Sequence, residues 1–195
     1  MNYSVEQARN DLSEIDITEP LKDRMLKVAS VITKYMEEHT TQISDVPIVV
    51  GGLAMEIYTN SEYTTRDIDV VSTASIKLKE LLNDLGFKKE RIYIYEPLKI
   101  AIDIVDETLD PMDYNDINKI ELTDSHIYSI SKEGLLYNRA LDYTYEDNKI
   151  FSVYLMANSP DDIDFEKVKN DLKEVDKDAA IAFEEWVELA RDAQD

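Results

Sequence analysis

Apolar residues recur at helical spacing near the start of the chain, and this pattern predicts two amphipathic helices. The first helix is expected from residue 4 to about residue 15, and the second from about residue 19 to residue 38. The apolar stripe of the second helix consists of Leu21, Met25, Val28, Ile32 and Met36. Each helix is therefore expected to pack one face against a core.

Short runs of β-branched and aromatic residues follow, and these favour strands of a sheet. The strands are predicted at residues 46–50, 68–71, 91–95, 98–105, 117–122 and 127–130. Glu96 and Pro97 separate the third and fourth of these runs, which predicts a hairpin. A sheet of at least four strands is expected.

Helical spacing returns between the strands and dominates the end of the chain. Further helices are predicted at residues 53–59, 76–85, 132–141, 148–157 and 164–193. Ser75 is expected to cap the second of these and Gly86 to end it, while Asp161, Asp162 and Asp164 are expected to cap the last. The predicted class is α/β (α+β), with a mixed sheet domain over residues 1–131 and a helical segment over residues 132–195.

The chain carries 42 acidic and 21 basic residues, a formal net charge of -21. Repulsion of phosphate makes nucleic acid a disfavoured partner. Two interpretations of the acidity stay open, a solvated surface and a docking surface for a cationic small molecule or a basic protein. No apolar run approaches the roughly 20 residues that span a bilayer, so a cytoplasmic protein without a membrane partner is expected.

Metal chemistry in this chain is restricted to oxygen ligands, because it has no cysteine and only two histidines. Asp67 and Asp69 are two positions apart on a predicted strand and therefore project from the same face. Asp103 lies on the face of its own strand opposite to Ile100 and Ile102. Paired carboxylates favour Mg²⁺ or Mn²⁺, whose natural co-ligand is a nucleotide phosphate.

Gly51 and Gly52 follow a β-branched run and precede a predicted helix. Without side chains at this turn, backbone amides and the helix start can approach a phosphate. Thr65 could donate to a phosphate or only shape its loop. Arg66 could contact a phosphate or form a structural ion pair with the neighbouring aspartates.

The strings VVGG at residues 49–52 and RDIDVV at residues 66–71, with a short helix between them, resemble the signature of the DNA polymerase beta-like nucleotidyltransferase superfamily. The strings GGLAMEIYTNSEYTTRDIDVV and ELLNDLGF are most similar to its small prokaryotic branch, which includes abortive-infection and toxin-antitoxin nucleotidyltransferases. The resemblance covers roughly residues 46–105. The chain departs from the common pattern at Leu53, where many members have a serine.

This resemblance implies a central sheet of the nucleotidyltransferase type and an enzyme that transfers a nucleoside monophosphate from a nucleoside triphosphate to a hydroxyl. It implies that Gly51 and Gly52 contact the triphosphate, that Asp67 and Asp69 bind the metal, and that Asp103 completes the metal site. A protein or cationic small-molecule acceptor is favoured over RNA by the charge. The alternative is a catalytically silent binding module, such as an acidic antitoxin or regulatory subunit, that docks a basic protein.

Overall fold

The computed structural model describes residues 2–109 and 114–194. The strands are β1 (Ile48–Val50), β2 (Asp67–Val71), β3 (Lys88–Lys89), β4 (Tyr93–Tyr95), β5 (Ile100–Asp106), β6 (Ile117–Glu121) and β7 (His126–Ile130). The helices are α1 (Val5–Ser13), α2 (Leu21–His39), α3 (Gly51–Tyr58), α4 (Ser75–Asp84), α5 (Lys132–Leu141), α6 (Glu146–Asn158), α7 (Phe165–Val175) and α8 (Lys177–Asp192). The predicted mixed α/β class is confirmed.

The seven described strands form one mixed sheet in the order β3-β4-β5-β2-β1-β7-β6. Strand β2 is antiparallel to β1 and parallel to β5, and β7 is parallel to β1. The predicted hairpin of β4 and β5 is confirmed, and its connection ends in Lys99 with a φ of 53°. Strand β2 therefore lies between β1 and β5, which places its side chains beside both neighbours.

One face of the sheet is apolar and packs against α2 and α4. Their shared core surrounds a small cavity whose lining residues are Ala29, Ile32, Thr33, Pro47, Val49, Ile68, Val70, Leu78 and Ile102. Of the predicted stripe of α2, Met25, Val28, Ile32 and Met36 are buried. The burial of alternate residues of β2 and β5 on this face leaves their other side chains on the opposite face.

The chain divides into two compact units. The first consists of the residues up to Ala54 together with Thr64–Ile130, and it contains the sheet. The second consists of Met55–Tyr63 and the residues from Ser131 onward, and it contains α5 to α8. Residues 55–63 thus belong to the second unit, whereas the sequence division counts them with the first.

Several predicted helix ends are wrong. Ser75 is the first residue of α4 and does not cap it, because Ala74 occupies the N-cap position. The helix predicted at residues 164–193 is two helices, since the Asp176 side chain accepts hydrogen bonds from the backbone N–H groups of Asp178 and Ala179 and starts α8 there. The helix expected from residue 53 already begins at Gly51. Gly86, with a φ of 93°, follows the end of α4 as predicted.

Asp164 caps α7, as its place before an amphipathic helix predicts. Its Oδ1 accepts a hydrogen bond from the Lys167 backbone N–H at 3.0 Å. We expect Asp164→Ala to lower the free energy of unfolding by about 1 kcal/mol, because an N–H of the first turn loses its acceptor. Urea unfolding followed by circular dichroism measures this loss. Asp161→Ala, which removes the same charge from an exposed residue of the preceding turn, is the control, and an equal loss in both variants would contradict the capping role.

Candidate active site

Asp67, Asp69 and Asp103 project from the same face of two neighbouring strands. In the parallel pairing of β2 and β5, Asp69 lies opposite Asp103 and Asp67 lies opposite Ala101. All three aspartates are half-buried, while the intervening Ile68 is buried in the core. The sheet thus places on one face the three carboxylates that the sequence singles out.

Gly51 lies against the carboxylate of Asp69. Its φ is 59°, and a Cβ added there would be 2.3 Å from Asp69 Oδ2 and 3.1 Å from Asp69 Cγ. Both the backbone conformation and the contact therefore require a residue without a side chain. Val50, the preceding residue, is the antiparallel partner of Asp69, so strand pairing fixes the start of α3 beside this carboxylate.

Gly52 occupies the first turn of α3, next to Gly51. The first N–H groups of a helix have no partner within the helix and carry partial positive charge. Helix α3 has 8 residues, so its start contributes such groups near Asp69. The predicted tight glycine turn is thus the beginning of the helix itself.

The two residues before β2 differ in their contacts. The Thr65 hydroxyl Oγ1 lies 3.1 Å from Asp67 Oδ1 and donates to it. Arg66 is exposed, and no ion pair involves it within residues 2–109 and 114–194. Of the two interpretations of Arg66, the structural ion pair therefore finds no support among these residues.

Within the part of the chain that the structure describes, no three histidine, cysteine, aspartate or glutamate side chains are arranged to hold a metal ion as they stand. Three carboxylates without a cation repel one another, and positions i and i+2 of a strand are separated by roughly 7 Å. A cation would have to draw the Asp67, Asp69 and Asp103 side chains together. The donor set itself, three carboxylates on one face, fits a hard divalent cation.

A separate polar cluster joins α2 to β7. Glu37 Oε1 accepts a hydrogen bond from the Tyr128 hydroxyl at 2.8 Å and lies 2.9 Å from His126 Nε2. Burial, aided by the hydrogen bond and charge of Glu37, raises the pKa of Tyr128 to about 12. The sequence assigns no chemistry to His126, and its contact with Glu37 agrees with a structural role. Only the pairing of distant elements reveals this cluster, so local sequence patterns carry no signal for it.

No protein-family model matches the chain, and no curated protein matches it. The described helices include none of the length and apolar character that crossing a membrane requires.

Proposed function

We propose that the chain is a metal-dependent nucleotidyltransferase that moves a nucleoside monophosphate from a nucleoside triphosphate to a hydroxyl. One observation carries this proposal. Asp69 and Asp103 are direct partners on parallel strands, and the backbone of Gly51 lies against Asp69 at the start of α3. Carboxylates for a metal and helix N–H groups for a phosphate thereby lie side by side, as transfer of a nucleotide requires.

Asp67, Asp69 and Asp103 would hold one or two Mg²⁺ or Mn²⁺ ions. When bound, the metal supplies neutralisation of the phosphate charge and polarisation of the phosphorus–oxygen bonds. Gly51 and Gly52 would accommodate the triphosphate by close backbone approach. Arg66, which is exposed and without an ion pair among the described residues, would add a positive charge at the phosphates.

In the proposed reaction the acceptor oxygen attacks the α-phosphorus and forms a new P–O bond. The bond from the α-phosphorus to its bridging oxygen breaks, and pyrophosphate leaves with that electron pair. The acceptor proton passes to a carboxylate, for which Asp103 is suited because no hydrogen bond or ion pair engages its side chain within the described residues. The remaining residues act by holding the reactants in line.

A protein or a cationic small molecule is the acceptor class that the net charge of -21 favours. A nucleic acid would have to approach against this charge. A protein acceptor would agree with a toxin-antitoxin or phage-defence setting, and a cationic small molecule such as an aminoglycoside would agree with a resistance setting. The cytoplasm is the compartment proposed for all of them.

The test is transfer of label from α-³²P nucleoside triphosphates in the presence of Mg²⁺. Basic proteins and cationic small molecules with free hydroxyl groups serve as candidate acceptors, and the double variant Asp67→Ala/Asp69→Ala is the matched control. Wild type is expected to transfer label and the double variant to transfer none. Equal transfer by both would overturn the assignment of the site.

A catalytically silent binding module is the second candidate. It is favoured by the finding that no described group of three carboxylates or histidines is arranged to hold a metal as it stands. The two proposals differ in nucleotide binding, because a silent module need not bind a triphosphate with Mg²⁺. Calorimetric titration with each of the four nucleoside triphosphates and Mg²⁺ separates them, and absence of binding to all four favours the silent module.

A further inference from the structure

The side chain of Thr65 is hydrogen-bonded to Asp67, one of the three aspartates. Its Oγ1 is 3.1 Å from Asp67 Oδ1. An ionised carboxylate only accepts hydrogen bonds, so the threonine hydroxyl is the donor. Both side chains are half-buried, and water therefore competes for this bond less than at an open surface.

We propose that Thr65 is a positioning residue that holds one oxygen of Asp67 and leaves the other oxygen for a metal ion. This inference rests on the proposed nucleotidyltransferase function. It differs from both sequence-based interpretations of Thr65, in which the residue donates to a phosphate or only shapes its loop. A threonine hydroxyl has a single proton, and a proton donated to Asp67 cannot be donated at the same time to a phosphate oxygen.

The surroundings of Asp67 explain why it depends on such a partner. Asp69 packs against the Gly51 backbone, and across the sheet it faces Asp103. Asp67 is the first residue of β2, and its partner on β5 is Ala101, whose methyl group cannot hold a carboxylate. The Thr65 hydroxyl, two residues earlier, supplies the missing constraint.

Partners that orient metal ligands commonly change metal affinity or activity 10- to 100-fold when they are removed. Thr65→Val keeps the shape of the side chain and removes the hydroxyl, and we expect it to weaken Mn²⁺ binding about 10-fold. Thr65→Ser retains the hydroxyl and is expected to stay within about threefold of wild type, by the same reasoning. Thr64→Val is the matched control, because Thr64 is exposed and makes no hydrogen bond with the described residues.

In the first measurement, each variant is titrated with Mn²⁺ in the presence of each of the four nucleoside triphosphates in turn. The electron paramagnetic resonance signal of free Mn²⁺ reports how much of the ion is bound. The label-transfer assay gives the Michaelis constants. In Thr65→Val the Michaelis constant for Mg²⁺ is expected to rise, while that for the nucleoside triphosphate stays unchanged. If only the Michaelis constant for the nucleoside triphosphate rose, Thr65 would contact a phosphate instead, and the positioning role would be overturned.

The second measurement requires no metal. Three-bond NMR couplings report the χ1 rotamer of Asp67, which we expect to be single in wild type and Thr65→Ser and averaged in Thr65→Val. An unchanged rotamer, or unchanged Mn²⁺ affinity in Thr65→Val while wild type binds the ion, overturns the role of Thr65 alone. A wild type that binds no Mn²⁺ with any triphosphate overturns the proposed function, and the positioning role with it.

Discussion

Asp103→Asn is expected to raise the stability of the protein and at the same time to abolish most of the proposed nucleotidyl transfer. Asp103 is half-buried and faces Asp69 across the parallel pair of β2 and β5, and its side chain has no hydrogen bond or ion pair within the described residues. Like charges directly opposite each other in a sheet are destabilising. Without metal, the neutral amide should raise the free energy of unfolding by about 0.5 kcal/mol.

The same substitution removes a charged oxygen from the proposed metal site. Metal-ion stabilisation of a transition state is worth several kcal/mol, and each 1.36 kcal/mol is tenfold in rate. We therefore expect kcat to fall about 10²- to 10³-fold. Mg²⁺ with a nucleoside triphosphate should raise the melting temperature of wild type and raise that of Asp103→Asn much less.

Thermal unfolding in EDTA and in Mg²⁺, together with the label-transfer assay, measures both effects. Asp124→Asn is the control, because it removes one negative charge from an exposed residue of the β6–β7 turn. A gain in stability that Asp124→Asn shares reflects the lower overall negative charge. Only the additional gain in Asp103→Asn measures the repulsion between Asp103 and Asp69. If Asp103→Asn were less stable than wild type in EDTA, the two carboxylates would not repel each other as proposed.

The local parts of this fold follow from the sequence, because they depend on residues close together in the chain. The period of two in β2 places Asp67 and Asp69 on one face, and the period of the stripe in α2 places Met25 and Met36 in the core. Both features need only the geometry of a single element. They were predicted correctly for that reason.

Pairing between distant elements could not be derived in this way. The register of Asp69 against Asp103 depends on β2 lying between β1 and β5, and strand order is a property of the whole sheet. The contact of Glu37 with His126 and Tyr128 likewise needs α2 and β7 to meet. Sequence patterns fix which face a side chain occupies, but they do not fix its neighbour on the next strand.

The break between α7 and α8 is a different kind of error, because its signal was present in the chain. Apolar spacing continues through this segment, and the sequence predicted one helix. The carboxylate of Asp176 instead accepts hydrogen bonds from the backbone N–H groups of Asp178 and Ala179, which stabilises a new helix start. A helix can thus end and a new one begin at a capping residue, even where the helical spacing of apolar residues continues.

Gly51→Ala is expected to lower both the free energy of unfolding and the proposed nucleotidyl transfer. These losses have two causes, the backbone conformation and the contact with Asp69, and a substitution at Gly86 distinguishes them. The φ of 59° at Gly51 costs an alanine roughly 1–2 kcal/mol, and the new Cβ would lie 2.3 Å from Asp69 Oδ2. Because Asp69 Cγ and Cβ would also lie within 3.2 Å of it, rotation of the carboxylate alone cannot relieve the contact. Asp69 must move away from Gly51 and so change its position relative to Asp103, and we expect kcat to fall about 10²-fold or more, as when a reacting geometry is misplaced by about 1 Å.

Gly86→Ala is the matched control for Gly51→Ala. Gly86 has a φ of 93°, and an added Cβ there meets no atom within 4 Å. It should therefore lose stability from its backbone conformation, by roughly 1–2 kcal/mol, and keep the transfer rate of wild type. Urea unfolding and label transfer are measured on both variants under conditions where both remain folded. Equal transfer by the two variants would mean that the Gly51 contact with Asp69 has no part in the reaction, whereas a loss confined to Gly51→Ala ties the glycine to the position of that carboxylate.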